Sequence, residues 1–100
     1  MKHKLVRYKV KPDAVAENRR LVEAVFEALQ AQSPEDFAYM VVELDDGTFA
    51  HFVAEANNGA FELGDLPAVQ EFRRDIAERC DEQPQARDAQ IVGRYGNLAG

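Results

Sequence analysis

FAYMVVELDDGTFAHFVAEA, residues 37 to 56, is a pair of apolar runs on either side of Asp46-Gly47. Asp-Gly between two such runs is a strong local signal for a β-hairpin, because these residues tolerate the backbone angles that a tight turn demands. A two-residue turn there sets Val42 opposite His51, Val41 opposite Phe52 and Tyr39 opposite Ala54. One face of the hairpin then carries Met40, Val42, Leu44, Phe49, His51 and Val53. The other carries Phe37, Tyr39, Val41, Glu43, Thr48, Ala50, Phe52, Ala54 and Ala56. A hairpin with a single buried face alternates apolar with polar residues, whereas both faces here are mostly apolar, so both are expected to be covered. This chain's helices supply one cover and a partner chain the other.

Outward from the hairpin, residues 4 to 11 (KLVRYKVK) alternate, with Val6, Tyr8 and Val10 on one side and Leu5, Arg7, Lys9 and Lys11 on the other. That pattern predicts the first strand. Pro12-Asp13 ends it, and Asp13 is placed to cap a helix running to about Ala31, in which Val15, Val22, Val25, Phe26 and Leu29 form a core-facing stripe. After the hairpin, residues 57 to 64 hold two glycines and no period, which reads as a loop. Asp65 is expected to cap a second helix with Pro67 in its first turn and Val69, Phe72, Ile76 and Cys80 on its apolar side. DEQPQAR (81 to 87) is read as its end and DAQIVGRY (88 to 95) as the last strand, with residues 97 to 100 fraying. The expected order is β-α-β-β-α-β over one domain spanning residues 1 to 100. This is an α+β, ferredoxin-like antiparallel sheet with two helices on one face. Its second face is left for solvent, a ligand or a second subunit, and the apolar hairpin favours a homodimer joined face to face.

Composition narrows the function classes. One hundred residues support one core, and 46% hydrophobic with 30% charged residues is globular composition. The net charge of −6 argues against nucleic acid as a partner, since no basic cluster offsets it. Five of the 12 basic residues fall in the first eleven positions, but their alternation with apolar residues reads as a strand with a solvated side, not a membrane-binding arm. Arg7 and Lys9 interrupt any signal-peptide core, and no apolar run is long enough to span a membrane. The single cysteine, Cys80, excludes an intrachain disulfide and a thiolate zinc site, so the expected address is the cytoplasm, with no metal and no cofactor.

Three stretches together, VRYKVKP (6 to 12), the hairpin, and LPAVQEFRRDIAERC (66 to 80) before IVGRY (91 to 95), resemble the dimeric α/β-barrel superfamily, and within it the small antibiotic-biosynthesis-monooxygenase-like proteins. The resemblance covers nearly the whole chain and implies a dimeric α/β barrel. It also implies cofactor-free oxidation of phenols or anthrones by dioxygen, with haem degradation among the relatives. The chain departs from the family where catalysis is concerned. It contains no Trp, which the catalytic versions place near Ala56 or Asn57, and no Asn in residues 4 to 11, where haem-degrading relatives use one. Neither catalytic set carries over.

The candidates for chemistry are therefore read from the residues. His51 is the one histidine inside a predicted element, and an imidazole suits removal of a phenolic proton near neutral pH; the alternative is a core histidine bonded to backbone. Arg7, mid-strand, could hold a carboxylate or phenolate, or pair with Glu43 or Glu55. Tyr39, Phe52 and Tyr95 could line an aromatic pocket, or form core and interface. Cys80 reads as an inert thiol and His3 as part of a mobile end. Two readings stay open: a cofactor-independent oxygenase-like enzyme acting on a small aromatic, and a non-catalytic ligand-binding or stress-related dimer. The missing Trp tilts the balance toward the second.

Overall fold

The computed structural model describes residues 1–57 and 59–96. Four strands, β1 (Lys2–Val10), β2 (Phe37–Glu43), β3 (Thr48–Glu55) and β4 (Cys80–Asp88), form one antiparallel sheet in the order β2-β3-β1-β4. Helices α1 (Val15–Gln32), α2 (Pro67–Arg74) and the single turn α3 (Ile76–Arg79) pack on one face. The ferredoxin-like α+β architecture is the expected one. Among the described residues no helix is long and apolar enough to cross a membrane.

The helices sit where they do because their stripes match the sheet. Val25 and Leu29 of α1 close on Leu66 and Val69, while Tyr8, Val10, Phe49 and Cys80 form a second buried cluster under Phe72 and Ile76. Neither helix uses the expected aspartate cap. Asp13 lies within a 3₁₀ turn, Pro12–Ala14, that leads into α1, and α2 begins after Leu66 with Pro67 in its first turn, where a missing N–H is harmless.

Two local expectations are corrected. The hairpin loop is three residues long, Asp45-Asp46-Gly47, closed by Leu44 N donating to Thr48 O at 2.7 Å. Gly47 takes φ +87°, and Asp46 Oδ1 accepts from Thr48 N at 2.9 Å. Loops of this length end in a left-handed residue, which glycine adopts without strain. The register is consequently one residue off the two-residue expectation: Val41 pairs with His51 and Tyr39 with Val53. A one-residue slip exchanges the faces of one strand relative to the other. Tyr39 and His51, expected on opposite faces, share the helix-facing one. Ala38, Met40, Val42, Ala50 and Phe52 share the open one.

The second correction is the last strand. It is Cys80–Asp88, which takes in the 81 to 87 stretch read as a break, and of the expected strand 88 to 95 only Asp88 lies in it, with Val92 98% and Tyr95 100% exposed. As the edge of the sheet, β4 has one side in solvent, so its polar residues are tolerated. Pro84 lies where the pairing skips from Arg7↔Gln85 to Lys9↔Glu82, a bulge that needs no N–H from it. The expectation for residues 97 to 100, and for Asn58 in the loop, lies outside the described residues.

Candidate functional site

Between the helix-facing side of the sheet and α1, α2 and α3 lies a cavity of about 460 Å³. Its apolar walls are Val6 and Val53 from the sheet, Val25 from α1, and Val69, Phe72 and Ile76 from the second helical segment, and the charged Lys4, Glu55, Glu62 and Arg73 also line it. Tyr8, Tyr39 and His51 reach it from three adjacent strands, β1, β2 and β3. Alternation along each strand puts them on this side, and the three-residue hairpin loop sets Tyr39 diagonally across from His51 on the same face.

The three are joined. Tyr8 Oη lies 2.7 Å from His51 Nε2, and Tyr39 Oη lies 2.7 Å from His51 Nδ1, so the imidazole bridges two phenols. The chain continues inward: Asn18 Nδ2 donates to Tyr8 Oη at 2.9 Å, and Arg79 Nε donates to Asn18 Oδ1 at 3.1 Å. Arg79 also donates from its guanidinium to Phe72 O at 2.7 Å and lies 5.2 Å from the centre of the Phe72 ring. Asn18 is fully buried and Arg79 8% exposed. A buried arginine is destabilising unless its donors are met, and here the amide, the carbonyl and the ring face meet them.

Burial sets the protonation states. It pushes the His51 imidazole down to about 4, so the ring is neutral at physiological pH, with one nitrogen donating and one accepting. Burial pushes the Tyr39 phenol up to about 12. It raises Tyr8 further, against a smaller opposing effect of the Asn18 hydrogen bond.

Of the residues named from sequence, Tyr39 and His51 are brought together at the cavity wall. Arg7, Phe52 and Tyr95 are not. Arg7 is exposed on the open face opposite Ala50, and its suggested partner Glu43 is held by Arg19 of α1 through two 2.9 Å bonds. Phe52 lies on the same open face, stacked on His3 at 5.8 Å, so His3 belongs to β1 and not to a loose end. Tyr95 is fully exposed. Cys80 is buried in the core with its thiol pushed up by burial, in keeping with an inert group. Sequence reasoning passed over Tyr8, Asn18 and Arg79. Asn18 carried a readable signal, since it stands three residues after Val15 and four before Val22, inside the apolar stripe of α1.

With this geometry in view, the comparisons with known proteins can be placed. No family model matches the chain, and no curated protein matches it by sequence. Solved structures do match. Rv0793 from Mycobacterium tuberculosis superposes with a TM-score of 0.74 at 18% identity, over 95% of this chain and 98% of that one. A protein described as an antibiotic biosynthesis monooxygenase gives 0.74 at 16% identity, over 93% and 100%. The fold is that of the antibiotic-biosynthesis-monooxygenase-like proteins. NE2512 from Nitrosomonas europaea, a protein of unknown function, shares this monooxygenase-like fold with a TM-score of 0.70 at 16% identity, over 98% and 96%. At such identities the likeness concerns architecture, and the monooxygenase-like fold leaves the chemistry to be argued from the site.

Proposed function

We propose that the protein is a cytoplasmic homodimer that binds a small aromatic molecule in the cavity between sheet and helices. The observation that carries this reading is the cavity itself. Its volume of about 460 Å³ suits a small organic ligand, and its apolar walls hold Tyr8, Tyr39 and His51, with the charged Lys4, Glu55, Glu62 and Arg73 also in the lining. Aromatic walls favour a flat ligand by stacking, and a phenolic hydroxyl orients it through a polar substituent. The homodimer is supported by the open face, where Met40 is 44% and Val42 46% exposed beside Phe52 and Leu5. Contiguous exposed apolar surface of this kind marks an interaction site.

Cofactor-independent oxygenation of an electron-rich aromatic is the second reading, favoured by an imidazole set between two phenols at the cavity wall. One panel separates the two. Naphthols, dihydroxynaphthalenes and anthrones are added while melting temperature and oxygen uptake are followed. A ligand at a hundred times its Kd stabilises by about 2.7 kcal/mol, a rise of roughly 10 °C or more for a domain this size. A rise without oxygen uptake is the expected result, and uptake with turnover selects the oxygenase. No rise with any compound at millimolar concentration removes the ligand.

A further inference from the structure

We infer that Arg79, acting through Asn18, fixes the direction of the buried hydrogen-bond chain so that Tyr39 presents its O–H to the cavity as a donor, and that the site thereby selects ligands bearing an acceptor oxygen. The inference deepens the binding reading and rests on it for its ligand half.

A guanidinium has donors and no acceptor, so the atom of Asn18 facing Arg79 Nε must be the amide oxygen. The amide nitrogen is then the atom facing Tyr8, and it donates to the phenolic oxygen. Tyr8 has one proton and, among the described residues, one hydrogen-bond partner besides Asn18, Nε2 of His51. Were Nε2 protonated, Tyr8 would receive two donors and its own proton would have no acceptor among the described residues, in a residue that is 2% exposed. An orphaned buried donor costs roughly 1–3 kcal/mol, whereas the reverse arrangement leaves nothing unmet. Tyr8 therefore donates to Nε2. The neutral ring carries its proton on Nδ1 and donates to Tyr39 Oη. The Tyr39 proton has no other partner among the described residues, and Tyr39 lines the cavity. Each link is forced by the one before it, and the last link faces the ligand. A carbonyl or phenolate oxygen accepts that hydrogen bond, whereas a ligand that offers only an N–H leaves the Tyr39 O–H without an acceptor.

Asn18 and Arg79 are positioning residues in this scheme, and a single change at Asn18 reverses it. In Asn18→Asp the carboxylate accepts from Arg79 and also from Tyr8 O–H. His51 must then donate from Nε2 to Tyr8 and accept at Nδ1 from Tyr39, which turns a lone pair to the cavity.

The test has two parts. Nitrogen-15 spectra of histidine-labelled protein, assigned by comparison with His3→Gln, report which ring nitrogen of His51 is protonated without any ligand. The expected result is the Nδ1–H tautomer in the wild type and the Nε2–H tautomer in Asn18→Asp. An Nε2–H or equally mixed ring in the wild type overturns the inference, and that spectrum needs no variant at position 18 to fold. The second part compares 1-indanone, a bicycle with only a carbonyl acceptor, with indole, a bicycle with only an N–H donor. Wild type should bind indanone roughly tenfold more tightly than indole, and Asn18→Asp should invert the order. Equal affinities, or a preference unchanged in the variant, overturn the selectivity. An Nδ1–H ring with neither compound bound overturns the ligand half together with the binding reading, while the polarity of the chain stands.

Discussion

At the scale of single residues, His51 should leave a signature in the pH dependence of stability. Its folded-state value of about 4 lies below the ordinary 6.5, so between those pH values the unfolded chain binds more protons than the folded one. Stability is thus intact above pH 6.5, falls as the pH drops through that window, and has lost on the order of 3 kcal/mol below pH 4. Most of the span from pH 6.5 to 5 precedes the carboxylates, including Glu43, which Arg19 holds below its usual value. Urea titrations at half-unit pH steps check this. A wild-type curve that is flat from pH 6.5 to 5 would contradict a buried neutral imidazole. His51→Gln should flatten the slope and lower stability at pH 7 by about 2 kcal/mol, because an amide of different shape cannot serve both phenols. Arg7→Met, out on the open face, should change stability by less than about 0.5 kcal/mol.

At the scale of elements, the hairpin loop makes the sharpest demand on one position. Gly47 sits at φ +87°, and a β-carbon there would lie 3.1 Å from Val10 O. Gly47→Ala should therefore destabilise by about 1–2 kcal/mol, read from the urea midpoint, and an unchanged midpoint would mean that the loop is not built this way. The same loop shows what the sequence could and could not convey. Period-2 alternation and the helical stripe marked β1, α1, β2 and β3 because burial on one face imposes those periods. Asp-Gly, however, closes both two-residue and three-residue loops, so the register, and with it the shared face of Tyr39 and His51, depended on a backbone choice that residue types do not encode. The misplaced final strand has a different cause. An edge strand open to water needs no apolar alternation, so CDEQPQARD looked like a break while the apolar IVGRY looked like a strand. At the site, His51 and Tyr39 were visible as residue types. Asn18 and Arg79 matter through partners 10 and 61 positions away, which only the fold brings near.

At the scale of the whole molecule, the helices cover one face of the sheet and leave Met40, Val42 and Phe52 on the other. Light scattering behind a sizing column at micromolar protein should give the mass of two chains, and a mass of one would end the dimer proposal. Val42→Lys with Phe52→Lys should return a folded monomer, since both side chains lie outside the core of the single chain. A separate property follows from the strand order. Among the described residues the sheet has two borders, β2 and β4, and β4 carries a proline, two irregular pairings and the charged Asp81, Glu82, Arg87 and Asp88. Fibre growth by strand addition requires each copy to offer a border at both ends, one to receive and one to extend. Because β4 is so interrupted, joining that begins along β2 finds no second regular border from which to continue.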